Sequence, residues 1–224
     1  MTAFPFKIVG FDLDGTLLDT QGDLGAAMNH ALALVGRPPV SASAVRGLVG
    51  GGARRMLERG LDLTGDPLPD AQVSELHGEL IAFYRENIAV HSRLFPGAEA
   101  MLDGLAAQDV RIAVVTNKLE SLAVRLLNEL ALSPRFYTIL GGDTLGRGRA
   151  KPARDLLDEM IARADVTGRA AFVGDSTFDT RAAQAAGLPC VAVSFGFNDL
   201  PPNELGASAV IDHFDELIPV LRGL

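Results

Sequence analysis

Three short apolar runs in this chain each end on an acid or a hydroxyl, and that pattern narrows the fold more than any other feature. The first, Ile8-Val-Gly-Phe, runs into Asp12-Leu-Asp14-Gly-Thr16. The second ends at Val114-Val115-Thr116-Asn117, and the third at Phe172-Val173-Gly174-Asp175, with Asp179 shortly after. Continuous apolar runs of this length read as buried strands. The Asp-Gly pair after the first run supplies a turn. The functional groups therefore collect at the carboxyl ends of strands, where open α/β sheets place their ligands. Carboxylates spaced as Asp12 and Asp14 can hold a cation, attack an electrophile and move a proton. A strand followed by an ordinary Asp-Gly turn would account for the first run alone. The later runs, with Lys151 between the second and third, argue for chemistry.

From about residue 95 onward strand and helix patterns alternate. Strands are predicted near 111–115, 137–140, 169–173, 190–193 and 210–211. Helices are predicted near 98–107, 119–129, 153–164, 178–186 and 214–221, with Lys151-Pro152 opening the third of them. This alternation predicts an α/β fold with a doubly wound, mostly parallel sheet and helices on both faces. Residues 19–92 differ. Helical patterns at 20–35, 53–61 and 71–87 are separated by Gly36-Arg-Pro-Pro39, a loop, and Thr64-Gly-Asp-Pro-Leu-Pro69. No strand signal appears there. The stretch reads as an inserted all-helical cap of residues 19–92, and residues 1–18 and 93–224 as the α/β core.

The 224 residues suit one large domain or a domain with a moderate insertion, and 48% hydrophobic content is enough for a core. A net charge of −8 argues against nucleic-acid or anionic-membrane partners. It leaves room for an anionic substrate, because a local cation can dominate one cleft. Cys190 is the only cysteine and lies in an apolar strand, so an inert buried thiol is expected and an intramolecular disulfide is excluded. The apolar run from Phe4 to Phe11 is broken by Lys7 and precedes no cleavage site, and no stretch is long enough to span a membrane. These readings predict a cytoplasmic protein, as a monomer or homodimer. His30, His77, His91 and His213 show no ligand spacing and read as partly exposed surface residues.

Taken in order, Asp12-Leu13-Asp14-Gly15-Thr16, Thr116, Lys151, and Gly174-Asp175 with Asp179 are similar to the four motifs of the haloacid-dehalogenase-like (HAD) phosphohydrolases. The resemblance covers essentially the whole chain. Within that family the chain most resembles the phosphoglycolate phosphatase group, through Leu18-Asp19-Thr20, Val49-Gly-Gly-Gly-Ala53, Phe95-Pro96-Gly97, Val115-Thr-Asn-Lys118 and Gly141-Gly-Asp143. One departure is that Ala153-Arg154 follows Lys151-Pro152 where the family often has a second proline. The basic loop Gly146-Arg-Gly-Arg149 has no assigned role.

The resemblance implies a Rossmann-like core, a Mg²⁺ cofactor and hydrolysis of a small phosphorylated metabolite, most simply 2-phosphoglycolate. Asp12 is the expected nucleophile, since a carboxylate is ionised at neutral pH and needs no base. Asp14 is the expected acid and base, a role that needs a neutral carboxyl first. Asp12, Asp175 and, by resemblance, the Asp14 backbone carbonyl would hold the metal; an all-oxygen donor set suits Mg²⁺. Thr116, Asn117 and Lys151 would receive the phosphoryl group. Asp179 either supports Lys151 and the metal site or caps the helix that follows it. Asp19 and Thr20 read as a helix N-terminus. Gly51 and Gly52 could offer backbone N–H groups to an anion, or form only a flexible loop. Arg54, Arg55 and Lys118 are the cations available to a substrate carboxylate, and solvated side chains otherwise. Rival readings are a phosphomutase of this family, a phosphatase for a sugar phosphate or nucleotide, and a non-enzymatic binding or regulatory protein.

Overall fold

In the computed structural model, which describes residues 3–224, the chain opens with β1 (Phe6–Phe11). It passes through β2 (Leu18–Asp19) into four helices, α1 (Gln21–Leu34), α2 (Ala42–Leu48), α3 (Ala53–Thr64) and α4 (Asp70–Glu86), and returns by β3 (Arg93–Leu94). Strand and helix then alternate: α5 (Ala98–Ala106), β4 (Arg111–Val115), α6 (Glu120–Glu129), β5 (Thr138–Leu140), α7 (Asp155–Arg163) and β6 (Arg169–Gly174). The chain closes with α8 (Thr177–Ala186), β7 (Cys190–Val193), β8 (Ala209–Ile211) and α9 (Leu217–Gly223).

The main sheet has the order β5-β4-β1-β6-β7-β8. Each of its pairings is parallel, with Gly10 of β1 level with Ala113 of β4 and Phe172 of β6. The chain moves outward from β1 to β5, then crosses back to β6 and moves outward on the other side. That reversal beside β1 opens a crevice at the carboxyl ends of the central strands. Successive side chains of a strand face opposite ways. Val9, Phe11, Val114 and Val173 therefore join one apolar layer, with α5, α6 and α9. Ile8, Val115 and Phe172 join the other, with Leu156, Leu157 and Met160 of α7 and Ala182 and Ala183 of α8. A large aliphatic or aromatic side chain so buried contributes about 1.5–3 kcal/mol. Cys190 lies in this second layer, and burial pushes its thiol far above the ordinary range.

The helices between β2 and β3 pack on one another. α1 buries Ala27, Met28, Ala31 and Leu32, and α4 buries Val73, Leu76, Leu80 and Tyr84; these spacings put each set on one helix face, and the two helices pack together. The start of α1 is tied to the chain's return. Buried Asp23 accepts hydrogen bonds from the His91 N–H (2.9 Å), the Ser92 N–H (2.8 Å) and the Ser92 hydroxyl (2.7 Å).

Three details differ from expectation. The stretch read as a loop after Gly36 contains α2, whose start is capped by the Ser41 hydroxyl accepting from the Ala44 N–H (3.2 Å). Seven residues are too few for a periodic signal, so the cap was its only cue. The two-residue strands β2 and β3 pair antiparallel where the chain leaves and rejoins the sheet region, and elements so short leave no pattern. The helix expected to open at Lys151-Pro152 begins at Asp155, and Arg149 of the basic loop pairs with Asp155 in its first turn (2.6 Å). Among the described residues, no helix is long and apolar enough to cross a membrane.

Gly141 sits where the loop after β5 presses on the start of α6. A Cβ there would lie 2.2 Å from the Glu120 nitrogen and 2.4 Å from its Cα. The same loop receives the Glu120 N–H on Asp143 (2.8 Å) and gives the Gly142 N–H to the Lys118 carbonyl (2.8 Å). Backbone cannot yield as a flexible side chain can. Gly141→Ala is expected to destabilise the fold by about 1–3 kcal/mol. The urea midpoint of the purified variant checks this; an unchanged midpoint would show that the loop can move aside.

Candidate active site

β1 and β6 deliver the central carboxylates. Asp12 follows β1, and its N–H still bonds the Val173 carbonyl of β6 (2.9 Å). Gly15 turns the chain with φ +83°; a Cβ there would lie 2.3 Å from Asp175 Oδ2, so the turn approaches Asp175 as only glycine allows. Asp175 follows β6. Its Oδ1 accepts from the Thr16 hydroxyl (3.0 Å) and its Oδ2 from the Phe197 N–H (2.7 Å). Asp179 lies in the first turn of α8. Its Oδ2 accepts from the N–H groups of Asp175 (3.2 Å) and Ser176 (3.0 Å) and from the Ser176 hydroxyl (2.6 Å). Its Oδ1 accepts from Lys151 Nζ (2.6 Å), so this residue caps α8 and anchors the lysine at once.

Ligand oxygens of Asp12, Asp175 and Asp179 lie within 4.8 Å of one another, all buried. The buried Lys151 ammonium stands between Asp12 Oδ1 (2.9 Å) and Asp179 Oδ1 (2.6 Å). Three carboxylates against one ammonium formally leave two negative charges. Asp12 Oδ1, although in ion-pair contact with Lys151, has no well-directed hydrogen bond. Oxygen donors, surplus negative charge and a carboxylate oxygen without a well-directed hydrogen bond together fit a hard divalent cation. The histidines do not join this cluster among the described residues.

The electrostatics agree with that fit. Burial pushes the Asp12 carboxyl up to about 6, against the pull of Lys151, with Asp179 adding repulsion. Burial and the charges of Asp179 and Asp12 raise Asp175 well above the carboxylate range. Burial works against the Lys151 charge, but Asp12 and Asp179 outweigh it and raise the ammonium above its ordinary value.

Around this centre the remaining candidates divide. Thr116 is buried at the end of β4; its hydroxyl oxygen accepts from the Lys118 N–H (3.2 Å), which leaves its own O–H to donate. Asn117 spends its two amide hydrogens on the Gly50 carbonyl (3.0 Å) and the Lys151 carbonyl (2.9 Å). Its side chain is thus a strap between the glycine loop and the lysine segment, and its amide hydrogens are taken. Lys118 Nζ donates to both oxygens of Asp14 at 2.8 Å, so the Asp14 side chain is engaged with Lys118 instead of with the triad. Burial opposes the Lys118 charge too, and the Asp14 carboxylate outweighs it.

Gly52 caps α3, and the glycine loop edges a cavity of about 50 Å³ between the helices and the sheet. Asp12, Asp14, Thr116, Asn117 and Lys118 line one end of it and Leu24, Met56, Leu80 and Tyr84 the other. Arg54 and Arg55 are not among its walls. Half-exposed Arg54 is turned onto Glu58 (2.9 Å), Ser74 (3.0 Å) and Asp70, and it borders a neighbouring cleft with Gly51, Gly52 and Lys151. Arg55 lies over the Phe178 ring, 5.4 Å from its centroid.

Sequence reasoning missed four contributors. Thr16 was visible in the first motif but carried no role there. Asn198 donates to the Asp175 carbonyl (2.7 Å) and the Val193 carbonyl (2.9 Å). Arg46 of α2 donates to the carbonyls of Phe195 (2.7 Å) and Gly196 (2.8 Å), next to the N–H that holds Asp175. Tyr84 lies in the helix expected at 71–87 and carried no role there. Nothing in the sequence marks the last three, because Asn198 and Arg46 act through unsigned backbone carbonyls and Tyr84 meets Lys118 only in the folded chain.

The comparisons with known proteins agree with this geometry. Residues 9–193 match the family model described as haloacid dehalogenase-like hydrolase. The phosphoglycolate phosphatase of Agrobacterium fabrum is 40% identical over 222 residues, 99% of this chain and 95% of its own. That of Caulobacter vibrioides is 41% identical over 207 residues, 92% of this chain and 86% of its own. The crystal structure of a predicted phosphoglycolate phosphatase from Haemophilus somnus superposes with a TM-score of 0.89 at 30% identity, covering 96% of this chain and 98% of that one.

A cation entering the triad must displace any proton held by Asp12 or Asp175. Because Asp12 is raised to about 6 and Asp175 is also raised, affinity for a divalent cation is expected to fall as pH drops below about 6. The loss should approach tenfold per pH unit for each proton displaced. Titration calorimetry between pH 5 and 7.5 reads this directly, and a pH-independent affinity would contradict the charge arrangement.

Proposed function

The chain belongs to the haloacid dehalogenase-like hydrolase family, and we propose that it is a Mg²⁺-dependent phosphatase that converts 2-phosphoglycolate to glycolate and phosphate through an aspartyl-phosphate on Asp12. The observation that carries the chemistry is the meeting of Asp12, Asp175 and Lys151 at the carboxyl ends of β1 and β6. The substrate is supported by relatives named phosphoglycolate phosphatase at about 40% identity over nearly the full chain.

In this reading residues 1–18 and 93–224 form the catalytic core and 19–92 the cap, with β2 and β3 at the crossings. Asp12 and Asp175, with the Asp14 carbonyl, would hold the cation. When bound, Mg²⁺ supplies positive charge that lets an anionic phosphate approach an anionic nucleophile. The Asp12 carboxylate then attacks phosphorus and the ester oxygen leaves. Lys151 Nζ, already beside Asp12 Oδ1, offsets charge on the nucleophile and on the transferring group. The free Thr116 O–H donates to a phosphoryl oxygen. Asp14, two residues past the nucleophile, would have to leave its ion pair with Lys118 and carry a proton; in that neutral form it would protonate the departing alkoxide, and as the resulting carboxylate it would take a proton from the water that hydrolyses the intermediate. Asp12 and Asp14 have different neighbours: Lys151 and Asp179 surround one, and Lys118 holds the other. The helices above the cavity exclude bulk water, which strengthens each of these interactions.

Chelation of the purified enzyme is expected to abolish phosphoglycolate hydrolysis, and added Mg²⁺ to restore it; full turnover after confirmed metal removal would sink the mechanism. The two aspartates should separate cleanly. Asp12→Asn should form no phosphoenzyme under rapid quench and mass spectrometry. Asp14→Asn keeps the nucleophile and should lose roughly 10²–10⁴-fold in kcat. Phosphate found on any residue other than Asp12 would refute the assignment.

A further inference from the structure

Tyr84 is 2% exposed, and its hydroxyl, near the Lys118 ammonium, has no well-directed hydrogen bond. Buried hydroxyls are nearly always paired, so an orphan that lines a cavity calls for a ligand. Tyr84 lies on α4, and its ring faces Lys118 of the loop after β4, with Nζ 4.7 Å from the ring centroid. Lys118 donates twice to Asp14, and an ammonium has a third N–H. Both groups border the same cavity, next to Asp14 and Thr116.

We propose that Tyr84 and Lys118 together bind the carboxylate end of the substrate, and that this pair, not the arginines after the glycine loop, sets specificity for a short phosphorylated acid. The inference rests on the phosphatase reading above and deepens it. Leu24, Met56, Leu80 and Leu122 line part of the cavity and offer no donor; Gly50, Gly52 and Asn117 line it too. An anion set against the apolar part without a partner would be costly, so a charged end there needs the side-chain donors of Tyr84 and Lys118. Asp14 shares the Lys118 ammonium, and the neutral Asp14 that proton transfer requires would leave that ammonium to the substrate carboxylate. Burial raises the phenol to about 12 even beside that ammonium, so the hydroxyl is a donor at neutral pH. The cavity also borders Asp12, so the charged end it receives lies close to the phosphoryl group, as in a short acid. One donor comes from the helical segment and one from the sheet side, so the charged end of the substrate bridges the two.

The test compares 2-phosphoglycolate with ethyl phosphate, which has the same ester and no carboxylate. With Mg²⁺ present, the wild-type protein should favour phosphoglycolate in kcat/KM. Tyr84→Phe, which keeps the ring and removes only the hydroxyl, should lower the ratio of the two kcat/KM values by roughly ten- to a hundredfold, mostly through KM. Lys118→Met should lower it at least as far. Competitive inhibition by phosphonoacetate, measured against ethylphosphonate, should weaken in parallel and does not depend on turnover. An unchanged ratio in Tyr84→Phe, or equal losses on both substrates, would overturn the inference while leaving the phosphatase reading intact. No wild-type preference between the two esters would overturn both this site and the phosphoglycolate assignment.

Discussion

Three carboxylates meet within 4.8 Å inside this protein, and the Lys151 ammonium is what makes that possible. Like charges at such a distance in a poorly solvated interior repel strongly. One lysine held by Asp12 on one side and Asp179 on the other offsets part of the repulsion. Burial, with the remaining repulsion added to it, raises the affinity of Asp12 and Asp175 for protons, and the surplus negative charge is what a divalent cation would neutralise. Asp179 can hold the lysine only because its other oxygen is fixed by the first turn of α8. Helix capping, lysine orientation and the charge balance at Asp12 thus share one side chain.

The second organising element is the contact between helices and sheet. Asn117 straps the Gly50 carbonyl to the Lys151 segment, and Arg46 reaches from α2 to the loop whose N–H holds Asp175. Asp23 fastens the base of α1 to residues 91–92. These ties use backbone carbonyls and N–H groups, so they register position without demanding particular partners in the sequence. They set how closely the apolar underside of α4, with Tyr84, overlies Asp14 and Lys118.

The core of this arrangement is legible in the amino-acid order. Apolar runs ending on Asp12, Thr116 and Asp175 predict strands and put their last residues in one crevice, because parallel strands on either side of a reversal share one open end. The helices at 53–64 and 70–86 follow from apolar spacing. Other features escaped for physical reasons. α2 is too short to show a period, and β2 and β3 are held by pairing alone. Arg54 follows a glycine loop in sequence, and in the fold Glu58 and Asp70, nearby on the surface, take its guanidinium. Asn117 sits beside Thr116 in sequence, and in the fold two carbonyls claim its amide hydrogens.

By itself the sequence determined at which strand ends the carboxylates and the Thr116 hydroxyl emerge, since burial, alternation and turn chemistry act over a few residues. Tertiary structure decided the pairings. Asp14 with Lys118, Asp179 with Lys151 and Tyr84 with the cavity join residues that are tens to more than a hundred positions apart. A carboxylate's role depends on which charge lies within a few ångströms, and distance in space along a folded chain is not encoded by any local pattern.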